Sequence, residues 1–234
     1  MRRLAIIGPL VSGLCCAVLL LGAGETALAA APAATDQSTN WAGYFLSGAV
    51  GAYSSVSASF TVPAAKCKAT GNQDASFWVG LDGVSSDSIE QIGFDTDCTA
   101  GVASYFGWYE VYPAPPVDFS NAIAPGDSMS ASVTFSGTTT YTLVLADSTA
   151  GWSHTVTKSE SGLSRSSAEV VTSGSGGGGG TGPTLTNFGA ITYTKCTVNG
   201  TSMGKQSPTE VEMVDSEGRV EIPLPGPTPP MHRN

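Results

Sequence analysis

The chain is 234 residues long, carries 10 basic against 19 acidic residues, and is charged at only 12% of its positions. A net charge of −9 without any basic cluster excludes a nucleic-acid-binding surface, which needs lysine and arginine to neutralise phosphates. As pH falls the carboxylates neutralise and few basic groups remain to repel one another, so the composition suits acid.

The first element stands apart from the fold. Arg2 and Arg3 precede an apolar run from Leu4 to Gly24, and the small-residue stretch ETALAAAPAA follows. That order predicts a secretory signal peptide over residues 1–30. Without Arg2, Arg3 and Glu25 the balance becomes 8 basic against 18 acidic, a net of −10. No later segment is long and apolar enough to span a bilayer, so the mature chain is expected to be secreted, free of the membrane and monomeric. Residues 31–40 read as a short polar arm. Candidate strands then follow at 40–47, 54–62, 75–82, 89–95, 104–112, 128–135, 140–147, 152–158, 166–172, 187–194 and 209–215. They are short, rich in β-branched and aromatic residues, and separated by Gly, Pro, Asp and Ser. No window sustains a helical period, so the expected fold is all-β, a sandwich or barrel over residues 41–217. The tract SGSGGGGGTGP at 173–183 reads as a flexible loop. Residues 218–234, ending PLPGPTPPMHRN, read as a disordered tail, because proline cannot enter a sheet interior.

Three cysteines remain in the mature chain, Cys67, Cys98 and Cys196. In an oxidising compartment two should pair, and the sequence alone does not fix which. Cys67 and Cys98 flank the strands at 75–82 and 88–95 and are the expected bridge, leaving Cys196 as a free thiol.

Side chains in a strand alternate between faces. In IEQIGFD, Ile92 and Phe94 point one way while Gln91, Gly93 and Asp95 point the other. In ASFWVGLD, Phe77, Val79 and Leu81 share a face suited to a core, and Trp78, Gly80 and Asp82 share the opposite one. Phe106, Trp108, Glu110 and Tyr112 line up in SYFGWYEVY; in SSAEVVT, Ser167, Glu169 and Val171 oppose Ala168, Val170 and Thr172. Several strands therefore present a second face of tryptophans, carboxylates, an amide and glycines. Rings give contact area and polar groups give orientation, which suits a groove for an extended ligand.

Several common machineries are absent. His154 and His232 are the only histidines, and His154 reads as an ordinary strand-surface residue. No pattern has zinc-ligand spacing, and neither metal nor cofactor is expected. FDTDC and LADSTAG lack the glycine that would complete the turn of an aspartic dyad. Carboxylate and amide chemistry remains.

The motifs STNWAGY at 38–44, FWVGLDG at 77–83, EQIGFD at 90–95, GWYEVYP at 107–113, PGDSMSASV at 125–133, SSAEVV at 166–171 and NFGAITYT at 187–194 occur in the order seen in the eqolisins. The chain resembles these glutamic peptidases from about Trp41 to Val214. The resemblance implies an antiparallel two-sheet β-sandwich of jelly-roll or concanavalin-like type, with protein or peptide substrates bound across a concave face. It also implies an acid-acting endopeptidase, insensitive to pepstatin, with a Gln–Glu dyad that falls on Gln91 and Glu169. Trp41, Trp78, Asp82, Asp95, Trp108 and Glu110 match cleft or supporting positions. Only residues 31–40 separate the predicted signal peptide from Trp41, so no long inhibitory propeptide is expected and activity would be gated by pH. In this reading ionised Glu169 takes a proton from water, and the Gln91 amide, which does not titrate, supports the oxyanion in acid. Two other readings stand beside it. One is a carbohydrate-binding sandwich without catalysis, and the other is a glycosidase using a carboxylate pair such as Glu110 and Glu169.

Overall fold

Alternation of apolar and polar side chains builds two sheets here, with one core between them. The computed structural model describes residues 35–84, 86–174, 184–222 and 231–232. The predicted signal peptide, most of the glycine tract and most of the predicted tail lie outside the described residues.

The strands in chain order are β1 (Thr35–Ser38), β2 (Trp41–Ser47), β3 (Ser55–Thr61), β4 (Asn72–Asp82), β5 (Ile89–Thr99), β6 (Val102–Tyr112), β7 (Val117–Asp118), β8 (Ser128–Ser136) and β9 (Thr140–Asp147). They continue with β10 (Trp152–Ser159), β11 (Ser167–Ser173), β12 (Thr184–Leu185), β13 (Ala190–Ile191), β14 (Tyr193–Val198), β15 (Thr201–Ser202), β16 (Thr209–Val214), β17 (Val220–Ile222) and β18 (Met231–His232). The larger sheet has the order β1-β16-β2-β11-β4-β5-β6-β7, with β12 added to β4 and β17 to β16. The smaller runs β10-β9-β8-β3-β14-β15, and β13 pairs with β18. Pairing is antiparallel throughout both large sheets except for the short β1–β16 and β12–β4 ladders.

The core faces read from the sequence meet between the sheets. Phe77, Val79, Leu81, Ile92 and Phe94 from β4 and β5 are fully buried against Val133, Leu143 and Leu145 of β8 and β9. Phe94 stacks on Phe77 with centroids 4.8 Å apart and packs on Phe60 of β3 at 5.3 Å. Each buried ring of this kind contributes on the order of 2–3 kcal/mol through lost apolar surface. β4 and β5, eleven residues each, are therefore pinned along one face, and their alternate residues are presented on the other. A disulfide joins Cys67 to Cys98 and ties the segment before β4 to the end of β5.

Three expectations need correction. The strand expected at 187–194 is broken: Gly189 takes a left-handed φ of 70°, and pairing resumes as the short β13 and then β14. Cys196, a free thiol as expected, lies half-buried where the register of β14 on β3 shifts. The domain does not end at residue 217. Asp215 accepts the Glu217 and Arg219 amides at 2.9 Å each, closing a turn that folds β17 back onto β16 with Ile222 fully buried. Three residues beside a proline-rich stretch are too few to read as a strand. The polar arm contributes β1, which covers the outer edge of β16.

Candidate active site

Register, rather than sequence spacing, brings the candidate dyad together. Glu169 of β11 pairs with Gly80 of β4, Gly80 pairs with Gln91 of β5, and Gln91 pairs with Glu110 of β6. Directly opposed residues share a face. These four residues thus form one row, its three side chains on the side of the large sheet that faces away from the core. Gly80 offers no side chain, so a gap separates Glu169 from Gln91. A Cβ there would lie 3.1 Å from the Trp78 ring and 3.4 Å from the Gln91 Cβ. A cleft of about 710 Å³ is lined by this row. Asn40, Trp41, Trp78 and Val171 line it at one end. Ile89, Tyr112, Pro113 and the segment after β4, including Val84 and Asp87, line it at the other.

The next row along the strands reads Val171, Trp78, Gly93, Trp108. Gly93 lies between the two indoles because nothing larger fits: a Cβ would stand 2.1 Å from the Phe77 carbonyl oxygen. The Trp78 Nε1–H donates to Ser173 Oγ at 3.0 Å, which fixes the ring at the cleft wall. Trp108 is buried, and its Nε1–H donates to Asp95 Oδ1 at 2.5 Å, as does Ser76 Oγ. Burial nevertheless dominates at Asp95 and pushes its carboxyl up to about 7, with the two hydrogen bonds opposing.

The sequence-derived residues thus divide into two groups. Gln91, Glu169, Glu110, Trp41 and Trp78 converge on the cleft. Asp82, Asp95 and Trp108 do not line it and act behind it. Asp82 has a left-handed φ of 66° and is fully buried, and its carboxylate accepts the Arg165 and Ser166 amides at 2.7 and 2.9 Å. It ties the end of β4 to the start of β11, and so holds Glu169 in register with Gly80.

Glu169 is 2% exposed, and neither carboxylate oxygen makes a well-formed hydrogen bond among the described residues. Burial raises its proton affinity well above the ordinary carboxylate range, and the nearby Asp82 and Glu90 add to this. The Ser167 hydroxyl and Val84 amide nearby favour the charged form and oppose it. Gln91 is 9% exposed and donates from Nε2 to Glu110 Oε2. One amide proton is committed to that contact, which fixes the orientation of the amide. The second proton and the carbonyl oxygen remain for water or substrate. A carboxyl and an oriented amide across a side-chain-free gap can activate water and stabilise an oxyanion. With its carboxylate taken by Gln91, Glu110 is poorly placed for the role a carboxylate-pair glycosidase would need.

Sequence reasoning missed Gly80 as a site residue, along with Asn40, Tyr112, Pro113 and the segment after β4. Glycine at 80 becomes informative only when β11 and β5 are known to flank β4, which no local pattern states.

The model of the Peptidase A4 family matches residues 39–222. A comparison with curated protein sequences finds no match. Among solved structures, scytalido-glutamic peptidase with a transition-state analogue inhibitor is similar at 27% identity and a TM-score of 0.70, covering 84% of this chain and 98% of that one. SCP-B, an eqolisin-family peptidase in complex with the tripeptide Ala-Ile-His, is 26% identical with a TM-score of 0.65, covering 84% and 98%. Aspergilloglutamic peptidase from Aspergillus niger is 27% identical with a TM-score of 0.59, covering 69% and 99%. A match across nearly the whole described domain, with the cleft and its carboxyl–amide row in place, means that this chain belongs to the Peptidase A4 family, the eqolisins, and is an endopeptidase of the glutamic type.

Proposed function

We propose that the chain is a secreted, acid-acting endopeptidase in which Glu169 and Gln91 form the catalytic dyad. The register carries this reading: the two flank Gly80 on one face, in the cleft. An extended peptide would lie along the cleft, with side chains against Trp41 and Trp78 at one end and Ile89 and Tyr112 at the other. Two of the similar structures hold a peptide-based transition-state analogue and a tripeptide, which fits such a groove.

In the reaction, the Glu169 carboxylate takes a proton from water as the water oxygen bonds to the scissile carbonyl carbon. The carbonyl π electrons move to oxygen, where the free Gln91 N–H meets the developing negative charge. Glu169 then passes its proton to the amide nitrogen, the C–N bond breaks, and a carboxylic acid and an amine leave. Glu169 returns to its starting state. A histidine base would already be protonated in acid, whereas the amide does not titrate.

The raised proton affinity of Glu169 favours a second order of events. Protonated Glu169 can give its proton to the carbonyl oxygen from one oxygen while the other takes the proton of the attacking water. The two orders differ in sign. If Glu169 acts ionised, turnover falls as pH drops through its pKa. If it acts protonated, turnover falls as pH rises through it.

The test is hydrolysis of a denatured protein by the purified mature chain, scanned from about pH 2 to 7, with Glu169→Gln and Gln91→Ala in parallel. The expected outcome is no detectable turnover for the first and a loss of about a hundredfold or more for the second. An inhibitor of aspartic dyads should leave the wild type unaffected. Wild-type turnover in folded Glu169→Gln overturns the dyad.

A further inference from the structure

Glu90 precedes Gln91 in β5, and alternation sends it to the opposite side, into the space between the sheets. Its register partners are Leu81 and Val111, both buried. Glu90 itself is 0% exposed, and neither carboxyl oxygen has a hydrogen-bond partner among the described residues. A carboxylate in that position is expensive, and a neutral carboxyl much less so. The mechanism above does not use it.

The groups around it make its charge costlier. Asp82, fully buried at the end of β4, acts on it as a like charge, and so does Glu160 from the segment joining β10 to β11. Tyr141 of β9, 1% exposed, faces the same place and is held in its neutral form. Arg165 supplies the opposing positive charge, but its guanidinium sits over the Phe135 ring, 3.8 Å from the centroid, and its attraction is the weakest of these influences. Asp82 is also the residue whose carboxylate holds the Arg165 and Ser166 amides and so ties β4 to the strand of Glu169. A second negative charge beside it would work against that tie.

We propose that Glu90 sets the alkaline limit of this enzyme: the strands of Gln91 and Glu169 stay in register only while Glu90 keeps its proton. Burial and its acidic neighbours push the Glu90 carboxyl from the ordinary 4.5 up to about 8. The sign follows. The fold holds this proton more tightly than the unfolded chain does. Its stabilising effect is therefore complete below about pH 4.5 and is lost as pH rises through about 8. Glu90 is a positioning residue, acting through Asp82 and the β4–β11 register. Its effect on turnover rests on the Glu169–Gln91 reading. Its effect on stability does not.

The experiment compares wild type, Glu90→Gln and Glu90→Leu by thermal melting from about pH 4 to 9, and by the pH profile of hydrolysis of a denatured protein. In the variants the fall in melting temperature between pH 5 and 9 should flatten, and the alkaline midpoint of activity should rise by about one pH unit. Melting near pH 4 should change far less. Leucine matches the apolar register partners, so it serves if the buried amide of glutamine prevents folding. Melting curves that parallel the wild type across this range overturn the proposal, whatever the activity shows. If neither variant folds, an infrared titration of the wild type decides: absence of a carboxyl that loses its proton near pH 8, above the range of Asp95, overturns it. Flattened melting with no hydrolysis at any pH in the wild type would leave Glu90's role standing and count against the dyad instead.

Discussion

Gln91 can serve an oxyanion only if its nitrogen, not its oxygen, is held toward the reacting carbonyl. A free glutamine amide has no reason to choose, and the hydrogen bond to Glu110 supplies that reason. Replacing Glu110 with alanine should leave Gln91 free to rotate, lowering kcat roughly a hundredfold, with KM little changed. Glu110→Gln keeps an acceptor oxygen at the same reach and should recover much of the loss. Steady-state kinetics on one peptide substrate separate the two, and equal loss in both variants would show that the charge of Glu110 matters rather than its hold on the amide. At this scale the sequence was informative about residue type and face: Gln91, Glu110, Trp78 and Glu169 all stand where alternation put them. It was silent on the division of labour. Asp82, Asp95 and Trp108 share the polar face by alternation, yet burial and specific partners place them behind the cleft, and a single strand's pattern carries no depth.

The element that makes the site is β4, which lies between the strands of the two dyad members and contributes almost no atoms to the chemistry. Its Gly80 keeps the gap open, and Gly93 of β5, opposite Trp78, lets the indoles of Trp78 and Trp108 flank the backbone. The two glycines should fail differently. At Gly80 an added methyl meets the end of the Trp78 ring at 3.1 Å and the Glu90 carbonyl oxygen at 3.3 Å, contacts that a shift of a few tenths of an ångström relieves. Gly80→Ala should therefore fold, melt only slightly lower, and lose about ten- to a hundredfold in kcat/KM as the ring and the dyad separate. At Gly93 the methyl would meet backbone oxygen at 2.1 Å, so Gly93→Ala should not yield a folded, soluble protein. Circular dichroism with peptidase assays on both variants checks this, and a fully active Gly80→Ala would mean the gap is wider than the dyad needs. Strand existence was legible because β-branched and aromatic residues alternate between Gly, Asp and Pro breaks. Strand order was not: β11 inserts between β2 and β4, a pairing that closes across more than eighty residues and leaves no local trace. The missed β7, β12 and β17 are two or three residues long, below what any periodicity can register.

For the molecule as a whole, two kinds of negative charge oppose folding as pH rises, and salt tells them apart. One is the diffuse repulsion of a chain with 19 acidic against 10 basic residues. The other is the buried set, Glu90, Asp95 and Glu169, each of which the fold holds protonated above the ordinary range through burial. Surface repulsion acts through water and is screened beyond about 10 Å at 0.1 M salt. The cost of ionising a buried carboxyl is mostly lost hydration, which salt does not restore. For both, the sign is the same: stability is greatest in acid and falls as the carboxyls ionise, for Asp95 through about 7 and for Glu90 through about 8. The composition already pointed to acid tolerance, but it attributed that tolerance wholly to the scarcity of basic groups. The structure adds carboxyls whose burial no composition reveals. Melting temperature measured at pH 4 and pH 8, each at low salt and at about 0.5 M salt, should be higher at pH 4 in both conditions. Salt should raise the pH 8 value and recover only part of the difference, because the buried share remains. Complete recovery by salt would assign the alkaline loss to surface charge alone and remove the buried carboxyls from the account. A higher melting temperature at pH 8 than at pH 4 would reverse this sign for both kinds of charge.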